Sequence, residues 1–150
     1  MAVQTTYGER QKVGFPGLVA NMETANSITR VINDVAGLGF GLPAFQVAGE
    51  DLAATGTVGT LFRGVTIRDV TLVAKEGQTV DVYQKGDNAG LLTLGVIWVT
   101  AGEAVAAGDA AYFNTTTKRW MKTSSGNTAI PRAIFDSAAV DGGLAKVRLT

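Results

Sequence analysis

Alternation of apolar and polar positions dominates the chain from about residue 60 onward. Val65 and Ile67 alternate with Thr66 and Arg68, and Val70 and Leu72 alternate with Thr71. The parity changes across Arg68-Asp69, which predicts a bulge or bend between two strand segments. Val80 and Val82 alternate with Asp81 and Tyr83 after a turn begun by Gly77. Leu91 to Thr100 is apolar on both parities and predicts a strand covered on both faces near the centre of the fold. Ala111-Tyr112-Phe113, Arg119-Trp120-Met121, Ile130–Phe135 and Leu144–Leu149 read as further strands. Turn clusters separate them: Lys85 to Gly90, Ala107-Gly108-Asp109, the Thr-rich Asn114 to Lys118, and Ser124 to Asn127. Turn signals spaced at roughly 8–12 residues predict an all-β sandwich or barrel.

The first third reads differently. Gly14, Pro16 and Gly17 punctuate its start, and the polar run Asn21 to Ser27 is poor in helix formers. Leu18, Met22, Ala25, Ile28, Ile32 and Val35 fall near helical spacing. The stretch is nonetheless read as an extended N-terminal arm, residues 1–34, with Ser27–Ile32 as a strand within it and a short helix as the lesser option. Residues 35–150 form the β-domain: Gly37 to Gly41 as a turn or arm, Ala44–Val47 as a strand, Glu50–Thr60 as loop. The expected architecture is one all-β structural domain, a compact antiparallel sandwich or barrel of jelly-roll-like form, preceded by the arm.

Composition narrows the function classes. In 150 residues there are 13 Lys plus Arg and 13 Asp plus Glu, with no run of like charge. A nucleic-acid binder ordinarily carries a basic footprint, so no direct nucleic-acid partner is expected. The sequence has neither an apolar stretch of about 18 residues nor a basic-then-apolar leader, so neither a membrane partner nor a cleaved signal is expected. There is no Cys and no His. Disulfides, thiolate ligation and Ser–His or Cys–His nucleophilic chemistry are therefore excluded, along with the commonest general base. A neutral chain with 19 glycines also lacks charge repulsion against self-association.

Candidate sites thin out on inspection. Gly37-Leu38-Gly39-Phe40-Gly41 suggests a phosphate cradle, but Pro43 and a strand-like run follow where a helix is needed. Met121-Lys122 suggests the modified lysine of a biotin- or lipoyl-carrier hairpin, but Trp120 and Thr123 do not fit that tip. No pair of carboxylates is singled out for glycosidase-type chemistry. Asp87-Asn88 and Asp109 lack the alternating Asp/Asn loop of a calcium site. Pro131-Arg132-Ala133 and Gly64-Val65-Thr66-Ile67 miss the serine and the aspartate of dUTP-hydrolysing trimers. Asn114-Thr115-Thr116 fits a glycosylation pattern without a secretory route. Trp98, Tyr112, Phe113 and Trp120 read as core or interface. No catalytic residue, metal or cofactor is expected.

Several phrases carry a family resemblance in order along the chain. Tyr7-Gly8-Glu9-Arg10 with Val13-Gly14-Phe15-Pro16-Gly17 resembles the N-terminus of tailed-bacteriophage capsid cement, or decoration, proteins. Phe62 to Asp69, Tyr83 to Val99, Val105–Asp109 with Tyr112-Phe113-Asn114, and Gly142 to Leu149 continue it. The resemblance implies a non-enzymatic virion protein on the outer surface of the capsid. It implies the major capsid protein as partner, self-association as a dimer or trimer, and a stapling of neighbouring capsomers. Candidate contact residues are those of the arm: Tyr7, Arg10, Phe15, Pro16 and Leu18. Phe15 and Tyr7 would either anchor in apolar pockets of the shell or a sister subunit, or fold back onto their own domain. The alternative function is a β-sandwich module binding carbohydrate or a host surface, which would display paired exposed aromatics along a groove.

Overall fold

The computed structural model describes residues 13–49, 51–53, 61–74 and 77–150. Tyr7 and Arg10 lie outside the described residues. Eleven strands are present: β1 Asn26–Val31, β2 Leu38–Gly39, β3 Pro43–Ala48, β4 Asp51–Ala53, β5 Leu61–Thr66, β6 Val82–Tyr83, β7 Asn88–Thr100, β8 Ala110–Asn114, β9 Arg119–Met121, β10 Thr128–Phe135 and β11 Leu144–Leu149. No helix occurs among the described residues. The main sheet runs β4-β3-β5-β7-β11-β10-β8-β9, with β1 also on β7, and β2 pairs with β6. All pairings between these strands are antiparallel.

Strand β7 is the axis, and it is paired along both edges. Leu92 faces Val65 of β5 on one side and Ser27 of β1 on the other. Further along, Ile97 faces Val147 of β11 and is bridged on its other edge by Val19. The sheet then curls into a half-barrel. Beyond β7, Ala101 makes a parallel bridge to Trp120 of β9, and the Gly102 amide donates to the Trp120 carbonyl at 2.8 Å.

Two apolar cores explain why Leu91 to Thr100 is apolar on both parities. Leu92, Ile97 and Val99 enter the larger one with Phe113, Trp120, Phe135 and Val147. Leu91 enters the smaller one with Ile32, Leu38, Phe40 and Tyr83. Leu42 packs against both. Of the aromatics read as core or interface, Phe113 and Trp120 are buried edge-to-face, with centroids 5.8 Å apart. The buried Thr66 hydroxyl is satisfied: it donates to the Gly39 carbonyl at 2.7 Å and accepts from the Leu42 amide at 3.0 Å. The buried Tyr83 hydroxyl donates to the Ile67 carbonyl at 2.7 Å. Its pKa is pushed up to about 12, chiefly by burial and then by Asp69.

Most strands expected from alternation are present, including Ser27–Ile32 as β1 and Ala44–Val47 within β3. Four readings are corrected. Leu38–Gly39, expected within a turn or arm, is β2 and pairs with β6. Part of the Glu50–Thr60 loop is strand, since Asp51–Ala53 pairs back onto β3. Val70 and Leu72 lie in no strand: Asp69 accepts from the Thr71 amide at 2.8 Å and its hydroxyl at 2.6 Å, and this local turn diverts the chain from the sheet. Val80 belongs to the turn before β6, where Asp81 adopts φ 58°.

Candidate functional site

The arm segment that can be described forms a strap on the body. Phe15-Pro16-Gly17-Leu18 is a β-turn closed by the Leu18 amide donating to the Phe15 carbonyl at 3.1 Å. Pro at the second position pre-sets its φ, and Gly17 at the third adopts φ +84°, the combination a type II turn requires. The turn delivers the next residues to β7 as a short edge strand. The Gly17 amide donates to the Trp98 carbonyl at 2.8 Å, the Trp98 amide to the Leu18 carbonyl at 2.9 Å, and the Ala20 amide to the Val96 carbonyl at 2.8 Å. A fourth bond, Arg68 amide to Gly17 carbonyl at 2.7 Å, ties the strap to the end of β5.

Close approach is a property of the two glycines. A Cβ on Gly14 would stand 2.7 Å from the Trp98 indole nitrogen, so the bare backbone lies directly on that ring. A Cβ on Gly17 would meet the Phe40 Cβ at 2.8 Å and the Arg68 amide at 2.9 Å.

Two arginines complete the attachment. The Arg68 guanidinium stands 5.3 Å from the centre of the Phe15 ring and 5.2 Å from that of Phe40, and pairs with Asp81 at 3.1 Å. Arg148 on β11 makes a forked pair with Asp136 at 3.1 and 3.2 Å and reaches Glu23 of the strap at 2.7 Å. Asn21 donates to the other Glu23 oxygen at 2.9 Å.

The bond from Arg148, with help from Asn21, holds the Glu23 carboxyl below its ordinary value of 4.5. A depressed carboxylate contributes its tether fully above that ordinary value and loses it as pH falls through the lowered one. Amide chemical shifts of Ala20 and Trp98 are therefore expected to be constant from pH 7 to about 5 and to move at more acid pH. Glu23→Gln should abolish that acid-side change; an unchanged titration in the variant would show that Glu23 is not the tether.

Of the candidate contact residues, the structure brings Phe15, Pro16 and Leu18 together on this one turn. Phe15 remains 45 % exposed, while Pro16 and Leu18 are half-buried. Sequence reasoning missed the body's side of the attachment: Trp98, Arg68 and Arg148. The Pro-Gly pair was a legible turn signal, but nothing local in the sequence points to partners about 50 to 125 residues away. Exposed large apolar side chains include Val13, Phe15, Val19 and Met22 on the strap, and Val70, Val73 and Val80 on the connection from β5 to β6. An open groove of about 590 Å³ beside the strap is lined by Val13, Trp98, Ser137, Ala138, Leu144 and Lys146. The Lys146 ammonium lies 5.2 Å from the centre of the Trp98 ring.

The remaining described acidic groups are engaged in structure. Asp87 and Asp109 follow glycines, and each accepts from the amide three residues earlier, Gln84 at 2.8 Å and Ala106 at 2.9 Å. Glu103 is partly buried, which would raise its pKa. Bonds from the Thr123 amide and hydroxyl and the Lys122 amide outweigh this and hold it low. Asp34 accepts from the Ala36 amide, and Asp141 pairs with Arg119. The Asn114 side-chain Oδ1 accepts from the amides of Thr116 and Thr117, closing the β8–β9 hairpin. No group of three potential metal ligands occurs among the described residues.

Comparison with known proteins meets this geometry at family level. The family model described as structural cement protein, with E217 gp24 and Pam3 gp6 as its examples, matches residues 3–150. This chain belongs to the phage structural cement protein family. The cement-protein fold also occurs in a chain from the solved capsid of Myoviridae phage XM1. That chain is 20% identical, with a TM-score of 0.74 over 100% of this chain and 98% of that one. The N base of the head fiber gp8.5 of bacteriophage phi29 is 14% identical, with a TM-score of 0.47 over 85% and 95% of the two chains. No curated protein sequence matches. Family membership makes the protein a structural component of a phage.

Proposed function

We infer that this cement protein binds the outer surface of the major capsid protein lattice and staples neighbouring capsomers, so that the DNA-filled head resists internal pressure. The observation that carries this reading is the family match over residues 3–150, nearly the whole chain. The chemistry of the chain accords with a structural rather than a catalytic role. It has neither Cys nor His, and every described acidic side chain is engaged by a backbone amide or an arginine.

Stapling works by multivalency. Each contact is modest, and an oligomer that engages several shell subunits gains effective concentration without stronger individual bonds. A dimer or trimer of this chain meets that requirement, and its neutral net charge places no barrier between copies. Phe15, Pro16 and Leu18 are the described residues assigned to contact, with Tyr7 and Arg10 preceding them.

The test is the copy number in purified particles relative to the major capsid protein, by quantitative mass spectrometry. A ratio near one, or a simple fraction with copies in the hundreds, is expected; absence or a handful of copies per particle would sink the reading. At residue level, Phe15→Ala should weaken binding to heads while leaving the melting temperature within about 2 °C, because a half-exposed ring contributes little to folding. A large fall in melting temperature would assign Phe15 to its own domain instead.

A further inference from the structure

We propose that residues 13–23 are an exchangeable strap, and that the β7 edge from Val96 to Trp98 is a strand-acceptor site filled by the same segment of a second copy of this chain. The inference concerns how copies join, and it stands or falls separately from attachment to a shell.

The acceptor needs a strand. With the strap removed, the amide and carbonyl of Trp98, the carbonyl of Val96 and the amide of Arg68 lose their partners together. The occupant is specified by complementarity already on display. Only a segment with glycine at both positions 14 and 17 can lie on the Trp98 indole and pass between Phe40 and Arg68. Glu23 then meets Arg148 at the far end. Each of these contacts joins strap to body, so all of them are reproduced when the strap comes from another molecule. Exchange therefore sacrifices no contact, which is the condition under which swapping becomes a low-cost route to oligomers.

The hinge is suited to it. Only Thr24 and Ala25 separate Glu23 from β1, and both are exposed. The β1–β7 register is irregular where β1 begins, between Asn26 and Ser27. Strap and β1 run in the same direction along one edge of β7, so residues 21–25 only bridge the step from Val96 to Leu94 and can straighten when the strap leaves. Met22 is fully exposed, so the strap does not bury its apolar side chains in its own body there. Intramolecular closure corresponds to an effective concentration on the order of 1 mM, so exchange rises as copies are crowded to that level.

The chain has no cysteine, which makes an introduced pair unambiguous. Val19 and Ile97 are bridge partners lying between the Trp98–Leu18 and Val96–Ala20 bonds, a non-hydrogen-bonded antiparallel pair, the type whose side chains stand closer. Full-length Val19→Cys and Ile97→Cys chains are mixed at about 1 mM and oxidised, and the linkages are mapped by mass spectrometry. A disulfide between residue 19 of one chain and residue 97 of the other is expected, in a fraction that rises with concentration. No such link in the mixture, with the double variant closing only within single chains, overturns the proposal. Should Ile97→Cys not fold, the unsubstituted chain serves instead: in an equimolar mixture of 15N-labelled and 13C-labelled chains at about 1 mM, isotope-filtered NOEs between Gly14 of one copy and the Trp98 ring of the other are expected, and their absence overturns the proposal. Chains that cross-link but fail to bind heads would leave the exchange standing and refute the stapling function.

Discussion

Trp120→Ala is expected to produce the largest loss of stability of any single substitution in the described core, about 3–5 kcal/mol. The indole is fully buried and packs edge-to-face on Phe113. Its ring nitrogen donates to the Gly41 carbonyl at 2.8 Å, joining the β9 end of the half-barrel to the turn before β3. Truncation removes the packing, opens a cavity and leaves that carbonyl unpaired. For a chain of 150 residues this lowers the melting temperature by roughly 10 °C. Trp120→Phe separates the two contributions: it keeps much of the packing and loses only the bond, for about 1–3 kcal/mol. Calorimetry of the three proteins checks both numbers. Equal losses for Phe and Ala would place the whole effect in the hydrogen bond.

Gly17→Val is expected to act in the opposite way, with a modest effect on the fold and a large one on the strap. A β-branched residue at φ +84° is strained by about 1–3 kcal/mol, and its Cβ meets the Arg68 amide at 2.9 Å, a backbone atom that cannot move aside. The strap leaves β7 while both cores remain intact. Hydrogen exchange should show the amides of Ala20 and Trp98 losing protection, with those of β10 and β11 unchanged. Under the proposed function, head binding falls at least tenfold because Phe15, Pro16 and Leu18 lose their common presentation. Protected Ala20 and Trp98 amides in the variant would show that the turn tolerates a side chain, contrary to the geometry.

The periodic part of the chain was the legible part. Residues 110–150 form hairpins whose alternation and turn residues are local, so β8, β9, β10 and β11 appear where the pattern puts them. Apolar residues on both parities correctly marked β7 as central, because each of its faces meets a core. Local patterns failed where a polar side chain intervened or a distant partner decided. Val70 and Leu72 alternate like a strand, yet the Asp69 carboxylate captures the Thr71 amide and turns the chain away. Asp51–Ala53 carries little strand signal, and becomes β4 because β3 offers it an edge.

The strap shows the same division within one motif. Phe15-Pro16-Gly17 specifies a turn by itself, because proline presets φ and glycine alone occupies the next position without penalty. Where the turn docks was not specified locally: Trp98, Arg68 and Arg148 reach it only once the sheet has curled. By itself, then, the sequence determined the all-β class, the central strand and the lack of thiol and imidazole chemistry, carried by local pattern and composition, and the family likeness, carried by the order of its phrases. The tertiary structure decided that the strap lies along the β7 edge and that one turn presents Phe15, Pro16 and Leu18. The physical reason is that main-chain hydrogen bonds between an edge and an arm depend on which backbones meet, and hardly on which side chains they carry.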